Sequence, residues 1–569
     1  MIWIFMYRQT WIIMAFVVTP LITMSALPSE SKINDCFIAS PTVLHVDEYS
    51  AQFVWVTPAG LNAGEISVTP YSGGQQQRIT ADVTTPRFQK RDENNPEVLR
   101  EMDHLRHLAK VDGLEPFTEY RYHIECGDDA TTSSGRFTTS PESGQTDAFD
   151  FVVVSDGHAD RMGGQIYGPI AEAVGGVNPA FVIHTGDLTG GWGPDWDRWL
   201  PYFTIARPYL QSSVLRPVAG GHDVNETARN FRAFFAFNDP DGDPADEDDM
   251  GTYYTFTFGN AQFFLIDHTY DLETQLEWVE RELAASEAEW KIVALHQSFA
   301  NVGSRGNFFS GLFNDHAEVY EQYGVDIVIS GHDHIYERNL PFGSQGVKPV
   351  NYIAINSGGN FREIRPSPIL EGGIGRQEHM YAHFNIDDKR LEMTARRADG
   401  TLLDYLELVK GEDGMYQELV MDKAVDRDLA IEIAHLYTGQ DVASDLRYAR
   451  RDLQAEFDSF PEDEAPLMMT LNVSSFPRGS EIFFYEQRNP ELWRIKQQSI
   501  EVTGNTVEVE VTAPENFGTT HRSWSPDRSE SKWTSPPSFQ LNVRIDDRMF
   551  ESVTIYPSLG VSMDAVSDR

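Results

Sequence analysis

Hydrophobic positions along this chain change their period several times, and each change marks a segment. Between residues 35 and 141 they alternate with polar ones. Ala51-Gln52-Phe53-Val54-Trp55-Val56 and Glu119-Tyr120-Arg121-Tyr122-His123-Ile124 each offer one apolar face, and Gly135-Arg136-Phe137-Thr138-Thr139 closes the run before Ser140-Pro141. Such alternation predicts a small β-sandwich with Trp55 in its core. His104 and His107, three residues apart, fit a solvated loop or helix face. Over 147–410 the pattern becomes short continuous apolar runs separated by helical stretches, as an α/β core requires. The runs are Phe151–Val154, Phe181–Ile183, Val214–Val218, Phe263–Ile266, Ile292–Leu295 and Ile327–Ile329, while Leu276, Val279 and Leu283 recur at helical spacing. A hairpin of residues 390–393 and 402–408, turning at Asp399-Gly400, ends the segment.

Residues 411–465 predict a helical connector, in which Ser444 caps a helix bearing Leu446, Ala449, Leu453 and Phe457 on one face. Over 466–558 strands return at residues 482–485, 507–511 and 539–545, which predicts a C-terminal β-sandwich. At the other end, Arg8 and an apolar run from Thr10 to Met24 lead to Ser25-Ala26. This is either a signal peptide over 1–26 or a retained anchor, and the shortness of the run and Pro20 favour cleavage. No second apolar span follows, so export predicts a secreted or periplasmic protein, with the cell surface as a third address.

Length and charge narrow the picture. A chain of 569 residues is too long for one core. Its 87 acidic residues against 45 basic ones give a net charge of −42, and no basic patch interrupts that field, which argues against nucleic-acid partners. Only two cysteines occur, Cys36 and Cys126, and they are either bridged in an oxidising compartment or two buried thiols. The acidic stretch from Asp239 to Asp249 has its glycine in the wrong place for a calcium loop and reads as solvated.

The candidate chemistry is positional. Nearly every apolar run of the middle segment ends in a potential metal ligand: Ser155-Asp156-Gly157-His158, His184-Thr185-Gly186-Asp187, Gly220-Gly221-His222-Asp223, His296, and Gly331-His332-Asp333-His334. In α/β sheets ligands bind beyond the carboxyl ends of the strands, so these side chains can meet in one crevice. A mixture of carboxylates and imidazoles suits transition metals rather than calcium.

The order Asp156-x-His158, Gly186-Asp187, Gly221-His222-Asp223, His296 and Gly331-His332-x-His334 resembles the calcineurin-like metallophosphoesterase signature. The stretch Gly331 to Arg338, Trp290-Lys291-Ile292-Val293 and Asn356-Ser357-Gly358-Gly359 is similar to purple acid phosphatases. Gly113 to Tyr120 resembles their fibronectin-III-like N-terminal domain. The resemblance implies an α/β metallophosphoesterase core, a β-sandwich flanked by helices, that hydrolyses small phosphate mono- or diesters. It implies two metal ions, Fe, Mn or Zn, about 3.5–4 Å apart. Asp156, His158 and His334 would hold the first, His296 and His332 the second, and Asp187 would bridge them. His222 would stabilise the developing charge or protonate the leaving oxygen, with Asp223 orienting its ring. This chain departs from the purple pattern twice. Gly190 stands where a tyrosine binds iron, which implies a colourless relative. Gly221 stands where an asparagine binds the second metal, so the second site would bind loosely, rely on water, or borrow Asn225. The departure at Gly221 also leaves open a surface or periplasmic binding protein with a degenerate phosphoesterase domain.

Overall fold

The computed structural model describes residues 36–421, apart from 62–63, 87, 93, 127–130, 161–163, 238–251, 299–311, 339–347, 363–373 and 377. Beyond 421 it describes separate segments between 454 and 559. The predicted signal segment and the acidic stretch at 239–249 lie outside the described residues. Among those residues no helix is long and apolar enough to cross a membrane.

The alternating N-terminal runs form two four-stranded antiparallel sheets. One orders Ala39–Leu44, Ser50–Pro58, His104–Asp112 and Asp82–Thr84; the other orders Thr131–Thr138, Glu119–Cys126, Glu65–Pro70 and Gln77–Thr80. Their inner faces share one core, in which Phe53 meets Tyr122 and Phe137 edge-on at 5.1 and 5.3 Å. Cys36, at the start of this unit, is disulfide-bonded, and the sequence contains one other cysteine, Cys126.

His104 and His107 are not on a solvated loop or helix face. Both belong to strand His104–Asp112, and residues three apart on a strand point to opposite sides. His107 therefore faces inward, stacked on Trp55 at 5.2 Å with Nε2 2.9 Å from Thr57 Oγ1, while His104 stacks on Trp196 at 4.8 Å. Burial pushes the His107 pKa down to about 4, and burial together with Arg216 does the same to His45. Both imidazoles are thus kept neutral in the folded state and protonate more readily once unfolded. Their contribution is complete above the ordinary histidine pKa of about 6.5 and is lost as pH falls towards about 4. The thermal midpoint should drop across that window, and His107→Phe should flatten the drop in a pH series of melting curves.

The middle segment stacks two seven-stranded sheets face to face. The first orders Val214–Pro217, Phe181–His184, Phe149–Val154, Tyr381–Asp387, Arg390–Arg396, Leu402–Lys410 and Tyr416–Met421. The second orders Tyr254–Phe258, Ala261–Ile266, Trp290–Gln297, Ile327–Gly331, Asn351–Ala354, Tyr336–Arg338 and Ile374–Arg376. Phe151, Phe181, Phe263, Ile292 and Phe384 lie between the sheets. The intervening residues point outward under helices: Val152, Val154 and Val182 beneath Tyr167–Val177 and Trp196–Ile205, and Phe264, Val293 and Leu295 beneath Leu272–Ala285. Strands buried on both faces read as unbroken apolar runs, which is why this segment lacks the alternation of the first. A fully buried pair ties the two sheets together. Arg338 donates to Asp404 through Nε at 2.6 Å and a terminal nitrogen at 2.9 Å, and Tyr336 adds its hydroxyl at 2.6 Å.

Two expectations need correction. Strand Tyr416–Met421 carries the first sheet past residue 410. Phe457, assigned to the end of the connector helix, lies on strand Gln454–Phe457; Leu446, Ala449 and Leu453 fall outside the described residues. A run of four periodic apolar residues was a weak helical signal, and β-pairing of Gln454–Phe457 with Pro466–Asn472 prevailed at its end. The C-terminal strands form a five-stranded sheet containing Pro466–Asn472 and Thr506–Thr512, and a four-stranded sheet containing Glu481–Phe484 and Phe539–Asp546.

Candidate metal centre

Parallel pairing aligns the carboxyl ends of the central strands at one edge of the stacked sheets. The first sheet delivers Asp156, His158, Asp187 and His222 there; the second delivers His296, His332 and His334. All seven converge. One ligand atom each from Asp156, His158, Asp187 and His334 lie within 4.8 Å of one another, and all four residues are buried. Beside them, His296 Nε2 is 3.3 Å from Asp187 Oδ2 and 3.3 Å from His332 Nδ1. Asp187 Oδ2 also lies 3.8 Å from His158 Nε2, so one oxygen faces both groups. Its other oxygen accepts the His222 backbone N–H at 2.8 Å.

Backbone carbonyls orient the imidazoles. The Nδ1 atoms of His158, His296 and His334 lie 3.1, 2.9 and 2.8 Å from the carbonyls of Thr189, Thr185 and Asn360. A carbonyl only accepts, so each Nδ1 carries a proton and each Nε2 faces inward, where it can bind a cation once deprotonated. His158 Nε2 and His334 Nε2 then face each other at 3.1 Å, which is repulsive unless a cation or proton lies between them. Asp156 supplies the complementary charge: Oδ2 accepts from Ser155 Oγ and the His332 N–H, while Oδ1 is buried with no hydrogen-bond partner. Burial disfavours charge on Asp156 and Asp187, yet contact with His334 and His296 respectively holds both well below the ordinary carboxylate range. The donor set fits transition-metal ions.

The backbone is bent to make this edge. Asp156, His158, Asp187, His332 and His334 all adopt positive φ, between 40° and 71°. Gly220 is required for a different reason, since a Cβ there would run into the Asp187 backbone.

His222 stands at the rim, half-buried, with Nε2 3.9 Å from Asp187 Oδ2 and Trp192 tilted over its ring at 5.1 Å. The expected contact from Asp223 to the His222 ring is not the one observed. His222 Nδ1 instead donates to the Gly191 carbonyl at 2.7 Å. Asp223 accepts the backbone N–H groups of Leu188, Thr189 and Gly220, so it braces the loops behind the ring. Burial and the nearby Asp187 charge push its pKa up to about 8. Gly221 has an ordinary negative φ, and the nearest atom to a Cβ there would be Asn225 Nδ2, at 3.6 Å. At the tyrosine position of the purple pattern, the Gly190 N–H donates to Asp160.

One neighbour escaped the sequence reading. His268 follows strand Ala261–Ile266, and its ring lies 5.2 Å from His296 and 6.4 Å from His332. The rule that found the others, a ligand just past an apolar run, also points to Asp267-His268.

Residues 149–336 match the family model for calcineurin-like phosphoesterases. The chain carries a calcineurin-like phosphoesterase domain. Purple acid phosphatase 23 of Arabidopsis thaliana is 25% identical to it over 298 residues, 45% of this chain and 63% of that protein. An uncharacterized Mycobacterium tuberculosis protein is 26% identical over 294 residues, 44% of this chain and 54% of that one. The chain thus matches less than two thirds of the length of either relative. The structure of purple acid phosphatase PPD1 from yellow lupin (Lupinus luteus) seeds shares the fold, with a TM-score of 0.54 at 17% identity over 66% of this chain and 75% of that one. The calcineurin-like phosphoesterase domain therefore supplies all seven residues of the centre, from Asp156 to His334.

Proposed function

We propose that this protein is an exported, metal-dependent hydrolase of phosphate mono- or diesters. The observation that carries the reading is the convergence of Asp156, His158, Asp187 and His334, with a buried carboxylate oxygen that has no hydrogen-bond donor among inward-facing imidazole nitrogens. Asp156, His158, Asp187 and His334 would hold one metal ion, and Asp187, His296 and His332 a second. Bound there, the metals would neutralise the phosphoester oxygens and acidify an attacking water. The chain's own groups do the rest. Asp187 presents one oxygen to both groups, and the His222 N–H fixes the other. His222, anchored through Nδ1, turns Nε2 towards the departing oxygen, and Asp223 keeps the loops around it rigid. The disulfide at Cys36 supports export to an oxidising compartment. Tyr120, whose hydroxyl accepts the Glu115 N–H at 2.8 Å, supports a fibronectin-III-like reading of the first two sheets.

Chelation should abolish hydrolysis of a phosphoester panel, and Mn, Zn or Fe should restore it. His222→Ala should retain bound metal while turnover falls by roughly 10² or more. Loss of all metal in that variant would place His222 among the ligands instead. A second reading, a binding protein with a degenerate site, rests on Gly221, which offers no ligand atom. Purified protein that binds no metal and turns over no ester would establish it.

A further inference from the structure

Two half-sites meet at Asp187, and they are unequal. The first is completed by Asp156, His158 and His334; the second has only His296 and His332 besides the shared carboxylate. Three protein donors can hold a catalytic ion that completes its shell with water, but they leave room for a fourth and make this half-site poorer in protein donors than the first. Gly221 can add nothing. His268 stands beside this second group, its ring 5.2 Å from that of His296 and 6.4 Å from that of His332, beyond the carboxyl end of Ala261–Ile266, the strand paired in parallel with Trp290–Gln297 that carries His296. Its Nδ1 is enclosed and has no hydrogen-bond partner, although buried side-chain nitrogens ordinarily have one. A hydrogen bond to the Ala219 backbone engages the ring, which leaves Nε2 as the nitrogen that makes it. At His158, His296 and His334, too, a backbone carbonyl engages one ring nitrogen and leaves the other to face the centre.

We propose that His268 is a protein ligand of the second metal through Nδ1, alongside Asp187, His296 and His332. This rests on the two-metal reading. It makes the second half-site the richer in nitrogen: three imidazoles and one shared carboxylate, against two imidazoles and two carboxylates in the first. Borderline ions such as Zn²⁺ or Co²⁺ should settle in the second half-site, and harder ions such as Mn²⁺ should favour the first.

Co²⁺ titration of the metal-free full chain, followed by its visible absorption, tests the assignment without recourse to turnover. The wild type should take up two equivalents in two steps. His268→Ala should weaken one step by at least about 10-fold and lower its absorption intensity or shift its bands, with the other step unchanged. Gly221→Asn in the His268→Ala background should restore the lost step, because position 221 has ordinary backbone geometry and open space for a side chain. His268→Gln guards against misfolding: with a native melting curve it too should lose the step. Two wild-type steps surviving unchanged in both His268 variants would overturn the proposal alone, as would loss of the step in Asn225→Ala but not in His268→Ala. A wild type that binds one Co²⁺ or none would overturn the two-metal reading itself.

Discussion

Asp187→Ala should remove both bound metals and lower phosphoester turnover by at least roughly 10³-fold, the equivalent of about 4 kcal/mol of transition-state stabilisation. Among the described residues, Asp187 is the side chain that presents one oxygen to both histidine groups, 3.8 Å from His158 Nε2 and 3.3 Å from His296 Nε2. Its loss leaves inward-facing imidazole nitrogens with one fewer charge to gather a cation around, and it also frees the His222 N–H. The fold should survive, because Asp187 lies past the end of its strand and ties no sheet together. Metal analysis beside a melting curve separates the two effects: metal content should fall to near zero while the metal-free midpoint stays close to wild type. Retained metal with wild-type turnover would mean that another group bridges the centre.

Asp404→Ala should do the reverse and strike the fold first, by about 3–5 kcal/mol. Asp404 is completely buried and accepts two hydrogen bonds from Arg338 and one from Tyr336. Removing it takes from a fully buried guanidinium its carboxylate partner on the opposite sheet. Strand Tyr336–Arg338 begins two residues after His334, so slippage there should also weaken metal binding. Denaturant unfolding should show a clear loss of midpoint, with Asp404→Asn falling between the variant and wild type. A shift below about 1 kcal/mol would show that the sheets are held by packing alone.

The strands around the centre were legible because burial on both faces leaves a plain signature: three or four consecutive apolar residues bounded by glycine and polar residues, as at Phe151–Val154 and Ile327–Ile329. The ligands were legible for a related reason, since they occupy the first few positions beyond those runs. What could not be read was anything set by contacts distant in sequence. His107 looked like surface because its partner, Trp55, sits 52 residues earlier on a neighbouring strand. Asp223 follows His222 directly, yet the ring turns to Gly191 and the carboxylate to three backbone N–H groups. His268 stands outside the motif order of the family the sequence resembles, although the strand-end rule reaches it.

The positive φ angles at Asp156, His158, Asp187, His332 and His334 imply a conflict between holding metal and staying folded. Each costs an L-residue on the order of 1–2 kcal/mol, and glycine would carry none of that penalty. Summed over five positions, the load is comparable to the whole stability of an ordinary domain, about 5–15 kcal/mol. Selection for robustness alone would therefore erode this edge towards glycine, one ligand at a time, and make the fold firmer at each step. A chain that keeps aspartate and histidine at all five positions is one in which something has opposed that drift.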